Sequence, residues 1–71
     1  MTEITKEVKL TLLKNELAVY HNTVYILSVR HRVNKKLGQT EEQLKPIADE
    51  MAKAEMAIDE LQKVIIEVEK E

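Results

Sequence analysis

Apolar residues in the second half of the chain recur at alternating steps of three and four positions, from Leu44 to Val68. This spacing places them along one side of an α-helix, since a coiled-coil seam repeats about every 3.5 residues. The first half has the same steps from Leu10 onward and ends in two polar positions. The pattern therefore predicts two amphipathic helices, each with one seam. The seam positions are Leu10, Leu13, Leu17, Tyr20, Val24, Leu27, His31 and Asn34 in the first helix, and Leu44, Ile47, Met51, Ala54, Ile58, Leu61, Ile65 and Val68 in the second.

Capping residues predict where these helices begin and end. Gly38 suits the left-handed position that follows a helix ending near Leu37. Thr40 and Gln43 have the spacing of a capping box, and Thr2 is a candidate cap for the first helix. We therefore predict one domain over residues 1–71, with helix 1 over about 3–37, a turn over 38–40 and helix 2 over about 41–70.

The two seams fit each other in an antiparallel hairpin. If the chain turns near Gln39, residues that face each other have numbers that sum to about 78, so Leu10 faces Val68 and Asn34 faces Leu44. All eight seam pairs obey this rule. Because the two patterns are independent, their agreement supports the hairpin more strongly than either does alone. The predicted fold class is all-α, an antiparallel two-helix hairpin with coiled-coil-like packing.

Two local features oppose this prediction. Residues 19–29 are rich in β-branched and aromatic side chains, which favour strands. They contain no Gly or Pro to turn a strand hairpin, so we expect helix packing to prevail. Pro46 lies too deep after Thr40 for a first-turn proline and cannot donate to the carbonyl of Glu42. We expect either a bend at Pro46 or a helix that begins there.

Helix 1 carries a second apolar stripe, here called the outer stripe, about 150° around the helix from its seam. Helix 2 cannot contact both sides, and burial of each aliphatic side chain would contribute roughly 1.5–3 kcal/mol. We therefore predict a homo-oligomer, most simply a two-fold dimer that forms a helical bundle, with a larger assembly or a different protein partner as alternatives. The predicted interface is Ile4, Val8, Leu12, Asn15, Val19, Asn22, Ile26, Val29, Val33 and Leu37.

Asn15 and Asn22 interrupt the outer stripe seven residues apart. A buried asparagine in an apolar seam commonly sets the register and the number of subunits. We interpret both residues in this way, with contact to a ligand as the alternative.

Size and composition add to the expectation of assembly. A chain of 71 residues buries a small core, and the absence of cysteine excludes a disulfide framework and the cysteine-containing structural zinc sites. Self-association is then the remaining source of burial. The N-terminal residues are charged, and no stretch approaches the roughly 20 apolar residues of a membrane span. We expect a soluble, cytoplasmic protein.

Charge is divided between the two halves. Residues 1–40 hold seven Lys and Arg against three Glu, whereas residues 41–71 hold four Lys against ten Asp and Glu. One interpretation is attraction between the paired helices. The other is a basic binding surface, since no acidic residue occurs from Leu17 through Thr40. That interval contains Arg30, Arg32, Lys35 and Lys36.

Candidate chemistry is sparse. The chain has no cysteine and one serine, and its two histidines, His21 and His31, would lie roughly 15 Å apart along one helix. No catalytic or phosphate-loop motif is present. We therefore expect no enzymatic activity, no cofactor and no metal site. His31, at a seam position near the turn, is interpreted as a core or capping residue.

A line of polar residues, here called the polar line, runs along helix 1 between the seam and the outer stripe. Cations, hydroxyls, an imidazole and an aromatic ring are groups that hold phosphate and stack on a base. The competing interpretation is that the cations complement the helix dipole and Tyr25 covers the rim of a bundle. The polar line is Lys14, Ala18, His21, Tyr25, Ser28, Arg32, Lys35 and Lys36, of which His21, Tyr25, Ser28, Arg32 and Lys36 are the candidate ligand-binding residues.

Together these features predict a binding protein that acts by stoichiometric protein–protein interaction, as an adaptor or inhibitor. The small size and Lys- and Glu-rich composition suggest an accessory protein of a bacterium or of its phage. An alternative is sequestration of an anionic or nucleotide-like small molecule in a basic pocket between subunits. A third is a nucleic-acid-binding hairpin, which the acidic second helix disfavours. The expected partners are a second copy, another protein or an anionic small molecule, and no membrane.

Overall fold

Two long α-helices and a short turn make up the computed structural model, which describes residues 3–71. Helix α1 spans Lys6–Lys36 and helix α2 spans Glu41–Glu69. The helices pack side by side in opposite directions, and the molecule measures 54 × 19 × 14 Å. Residues 3–71 contain no strand. The predicted two-helix hairpin is confirmed, and residues 19–29 are helical despite their strand propensity.

Helix α1 begins three residues later than the sequence pattern suggested. Thr5 is its N-cap, and the Thr5 hydroxyl accepts a hydrogen bond of 3.2 Å from the backbone N–H of Val8. Glu7 adds a negative charge in the first turn, where the helix dipole favours it. The other candidate cap, Thr2, lies outside the described residues.

The turn closes α1 with a Schellman motif. The backbone N–H of Gly38 donates to the carbonyl of Lys35, and that of Gln39 donates to the carbonyl of Asn34, both at 3.1 Å. This pattern needs a left-handed residue after the helix, and Gly38 has φ of 96°. The predicted role of Gly38 is therefore confirmed.

The predicted capping box at the start of α2 is also confirmed. The backbone N–H of Gln43 donates to the Thr40 hydroxyl at 3.2 Å, and the backbone N–H of Thr40 donates to the Gln43 side-chain oxygen at 2.9 Å. Each residue thus satisfies an otherwise unpaired donor of the other. Helix α2 ends at Glu69, with Lys70 as its C-cap.

Pro46 lies inside α2, five positions after the helix begins at Glu41. The prediction that the helix begins at Pro46 is therefore wrong. The capping box fixes the start earlier, and the backbone bond that Pro46 cannot make belongs to the carbonyl of Glu42, an exposed residue that water can reach. The expected bend at Pro46 stays a prediction.

The core is the pair of seams. All sixteen predicted seam positions are buried or half-buried. Among the described residues, no side chain is completely enclosed, so the core is a single layer between two helices. Ala57 and Val64, beside the α2 seam, are half-buried and widen this layer. The five buried residues are Leu27, Leu44, Ala54, Ile58 and Val68.

Candidate interaction surface

The outer stripe remains uncovered along the whole of α1. Each of its ten residues is exposed; eight of them lie within α1, whereas Ile4 precedes the N-cap and Leu37 is the C-cap. The exposed fraction of its eight aliphatic residues runs from 40% at Val29 to 78% at Leu37. The wheel geometry explains this result, because α2 packs on the α1 seam and most of the stripe lies on the far side. At the end opposite the turn, Ile4 and Leu12 border a depression that Val64 and Val68 of α2 also line.

The area of the outer stripe is that of a protein interface. From their exposed fractions, the eight aliphatic residues present on the order of 800 Å² to solvent, which is what one partner contributes to a standard protein–protein interface. The largest apolar patch of a typical monomer is about 300–600 Å². The outer stripe is therefore the most prominent feature of the described surface.

Helix α2 has no comparable surface among the described residues. Its large exposed apolar residues are Met56, which is 70% exposed, and Ile66, which is 51% exposed. These two lie ten positions apart and form no stripe at helical spacing. The uncovered apolar area is thus concentrated on α1.

Charged residues of the two helices meet at the end of the hairpin opposite the turn. The Lys9 ammonium and the Glu71 carboxylate are 3.0 Å apart, and the Lys6 ammonium donates to the backbone carbonyl of Glu69 at 2.8 Å. Sequence reasoning did not single out either lysine. Both flank the seam, and the facing rule, applied to flanking polar positions, would have brought them near the end of α2.

Basic residues at the turn end behave differently. Arg30, Arg32, Lys35 and Lys36 are exposed, and over residues 3–71 none of them forms an ion pair. Lys35 and Lys36 lie in the last turn of α1, where positive charge complements the helix dipole. Among the described residues, an ion pair therefore joins the two helices at the end opposite the turn, here called the open end, and none joins them at the turn end.

All five candidate ligand-binding residues are exposed on one side of α1. The Ser28 hydroxyl donates to the carbonyl of Tyr25 at 2.7 Å, so its proton is engaged within the helix. Arg32 and Lys36 line a shallow depression with Lys35, Val33 and Leu37. His21, Tyr25 and Ser28 continue the polar line away from it, so a single copy does not gather all five candidates into one cavity.

His31 is half-buried at its seam position, as expected for a core residue. It lines a surface depression beside the start of α2 together with Glu41, Glu42 and Lys45. Over the described part of the chain, no group of three or more His, Asp or Glu side chains is placed to hold a metal ion. Neither described helix is long and apolar enough to cross a membrane.

Comparisons with family models, with curated proteins and with solved structures find no match to this chain. The physical properties of its surface are therefore the basis for a functional assignment. Those properties are an apolar stripe along α1 that Asn15 and Asn22 interrupt, a polar line beside it, and unpaired cations near the turn.

Proposed function

We propose that this chain is a non-catalytic, homo-oligomeric binding protein that assembles through the outer stripe and acts by stoichiometric contact. The observation that supports this proposal is the exposed area of about 800 Å² that the aliphatic residues of the outer stripe present along α1 and at its two flanking positions, Ile4 and Leu37. Such a stripe in water is unfavourable, since each aliphatic side chain gains roughly 1.5–3 kcal/mol on burial.

The thin core favours a second copy over an unrelated protein as the occupant of the outer stripe. Only five residues of the described chain are buried, and the hairpin has neither a disulfide nor a second core layer to supplement them. Domains of this size commonly obtain stability by oligomerisation. A second copy is present whenever the protein is made, so self-association protects the stripe without any other factor.

Adaptor or inhibitor activity would then use the surface that assembly leaves open. That surface includes the outward side of α2, where exposed acidic residues predominate, and the basic turn end of α1. Charged surfaces of opposite sign on one molecule favour protein partners with complementary patches.

Solution mass measurement by light scattering tests the assembly. We expect the wild-type chain to have at least twice the monomer mass, and Ile26→Glu, in the middle of the outer stripe, to lower that mass. Ile66→Glu is a matched control, because Ile66 has the same 51% exposure as Ile26 but lies on α2. A folded wild-type monomer at millimolar concentration would contradict the proposal.

A second candidate function is the sequestration of an anionic, nucleotide-like molecule by the polar line. It is favoured by the unpaired guanidinium of Arg32 and ammonium of Lys36, which line one depression on the same side of α1 as exposed Tyr25. Thermal melting with ATP or inorganic phosphate tests this candidate. Arg32→Ala is expected to remove any ligand-induced increase in melting temperature without changing the oligomer mass, and no increase with either compound rejects it.

A further inference from the structure

The outer stripe has the same spacing read from either end. From Ile4 to Leu37 its successive steps are four, four, three, four, three, four, three, four and four residues. A two-fold axis that runs between the two copies of α1, level with the midpoint of Tyr20 and His21, therefore places every stripe residue opposite another stripe residue. The numbers in each pair sum to 41, as in Ile4 with the partner's Leu37 and Val8 with the partner's Val33.

From this symmetry we propose that two copies pair antiparallel through α1, in the register that brings residue 8 opposite residue 33. The inference rests on the proposed function, which it deepens by naming the partner, its orientation and its register. A two-fold interface uses the same patch on both copies, so a self-complementary stripe is what it requires. The complete set of pairs is 4 with 37, 8 with 33, 12 with 29, 15 with 26 and 19 with 22.

Other antiparallel registers use the stripe less completely. Within α1, a shift by one heptad leaves either Val8 and Leu12 or Val29 and Val33 without a stripe residue opposite them. A shift in either direction also leaves the flanking Ile4 and Leu37 without one. Leu37 is the most exposed residue of the stripe at 78%, and Ile4 follows at 57%. The register of sum 41 covers both, so it buries more apolar area than its neighbours.

Charge distinguishes the antiparallel from the parallel arrangement. Parallel pairing would place Arg30, Arg32, Lys35 and Lys36 of one copy beside the same four cations of the other. Antiparallel pairing instead places them beside the open end of the partner. There, residues 3–20 of the partner hold three glutamates against three lysines, so their charges balance. Like charges across an interface are unfavourable, so antiparallel pairing, which places the four cations beside a charge-balanced region, is preferred over parallel pairing.

Antiparallel pairing also aligns the helices favourably. The positive N-terminal end of each α1 lies beside the negative C-terminal end of the partner's α1. Near the two-fold axis, Asn22 lies opposite the partner's Val19, with the partner's Asn22 in the adjacent layer. The two Asn22 side chains therefore lie close together near the axis. A hydrogen bond between them would be lost in a shifted register, and this loss would disfavour the shift.

The same symmetry brings the two polar lines to one side of the dimer. A two-fold axis perpendicular to two antiparallel helices keeps corresponding faces on the same side. Tyr25 then lies near the partner's Ala18, and Arg32 lies near the partner's Thr11. A surface built from both copies therefore flanks the interface, beside His21 from each.

Spin-label distances test the orientation, and the absence of native cysteine allows single labelled sites. Lys36→Cys is exposed and close to the end of α1. In the proposed register the two labels at residue 36 are separated along the helices by 31 residues, or about 45 Å at 1.5 Å per residue. Parallel pairing would bring these labels within about 25 Å, and a register shifted by one heptad would change the separation by about 10 Å.

Thr23→Cys is the matched control, because residue 23 lies near the proposed axis and is exposed. Its two labels should lie within about 25 Å of each other in either orientation. A short distance at both sites overturns the antiparallel inference and leaves the proposed assembly intact. The absence of any intermolecular distance, with a monomer mass in light scattering, overturns the proposed function itself. The mass of a trimer, which two-fold pairing cannot build, overturns the two-fold pairing alone. Circular dichroism of both labelled variants establishes that they remain helical.

Discussion

The Lys9 ammonium lies 3.0 Å from the Glu71 carboxylate and joins the second turn of α1 to the end of the described chain. Both side chains are largely solvated, with 40% and 50% of their area exposed. An exposed ion pair of this kind contributes little stability, because water and salt screen it.

Glu71→Gln should therefore lower the free energy of unfolding by less than about 1 kcal/mol. The difference from wild type should vanish in about 1 M salt, which shortens the range of electrostatic interaction. Urea denaturation at low and high salt measures it. Glu60→Gln, which removes an exposed carboxylate without an ion pair, is the control, and an equal loss in that variant would argue against a specific role for Lys9.

Gly38→Ala should destabilise the hairpin by about 1 kcal/mol. The backbone at Gly38 has φ of 96°, where an L side chain is strained, whereas a Cβ atom there would meet nothing within 4 Å. The cost is thus conformational and not steric, and Gly38→Asn should cost less than Gly38→Ala. Chemical denaturation of both variants, with Gln39→Ala as the control, measures this order. Equal stability of Gly38→Ala and wild type would contradict the role of the left-handed turn.

Pro46→Ala should stabilise the protein by about 1–3 kcal/mol, because alanine restores the backbone hydrogen bond to the carbonyl of Glu42 and removes the ring clash in α2. The unfolded chain gains freedom from the same substitution, which offsets part of this gain. Thermal and urea denaturation at one fixed protein concentration measure the net effect. Lys45→Ala, at the neighbouring exposed position, should change stability by less than about 0.5 kcal/mol. A destabilised Pro46→Ala would mean that the proline has a structural role in α2.

Leu44→Ala should lower the free energy of unfolding by about 2–4 kcal/mol. Leu44 is 4% exposed and lies at the turn end of the seam, where removal of its side chain leaves a void between the helices. Met56→Ala, in the same helix but 70% exposed, should have little effect. Comparable losses in the two variants would show that the seam is not the core in solution.

The hairpin was predictable because several independent signals agree. The steps of three and four give the seams, the facing rule gives their register, and Gly38 with Thr40 gives the turn. Residues 19–29 illustrate how the strongest signal prevails. Their strand propensity is overridden because Val24 and Leu27 lie in the seam, where burial against α2 outweighs the small local preference.

Helix starts were harder to predict, since they depend on competition between nearby caps. Thr2 and Thr5 are both chemically suitable N-caps, and spacing alone does not choose between them. Pro46 was misjudged in one of its two interpretations because a proline in a second turn weakens a helix, whereas the Thr40 and Gln43 capping box strengthens its start. Both effects can be inferred from the sequence, but their relative contributions to helix stability cannot.

The exposure of the outer stripe was predictable for the same reason as the core. Helix geometry alone places Ile26 and Val33 on the side away from α2. The partner that would cover the outer stripe was harder to predict. A self-complementary apolar surface can pack against more than one kind of partner, and only charge and register distinguish between them. The lysine contacts at the open end escaped prediction, since Lys6 and Lys9 act through long flexible side chains whose reach does not follow the seam pattern.

The single-layer core described above restricts the ways in which this molecule could bind a ligand or a protein partner. Within the described chain no side chain is wholly enclosed, so one copy has no interior chamber in which to surround a guest. If the proposed binding function holds, its selectivity would depend on the order of chemical groups along the 54 Å length of the hairpin. A binding partner would be distinguished by its extended shape and by the spacing of its contacts along the hairpin. Two hairpins packed side by side would double the number of surface groups available for such contacts.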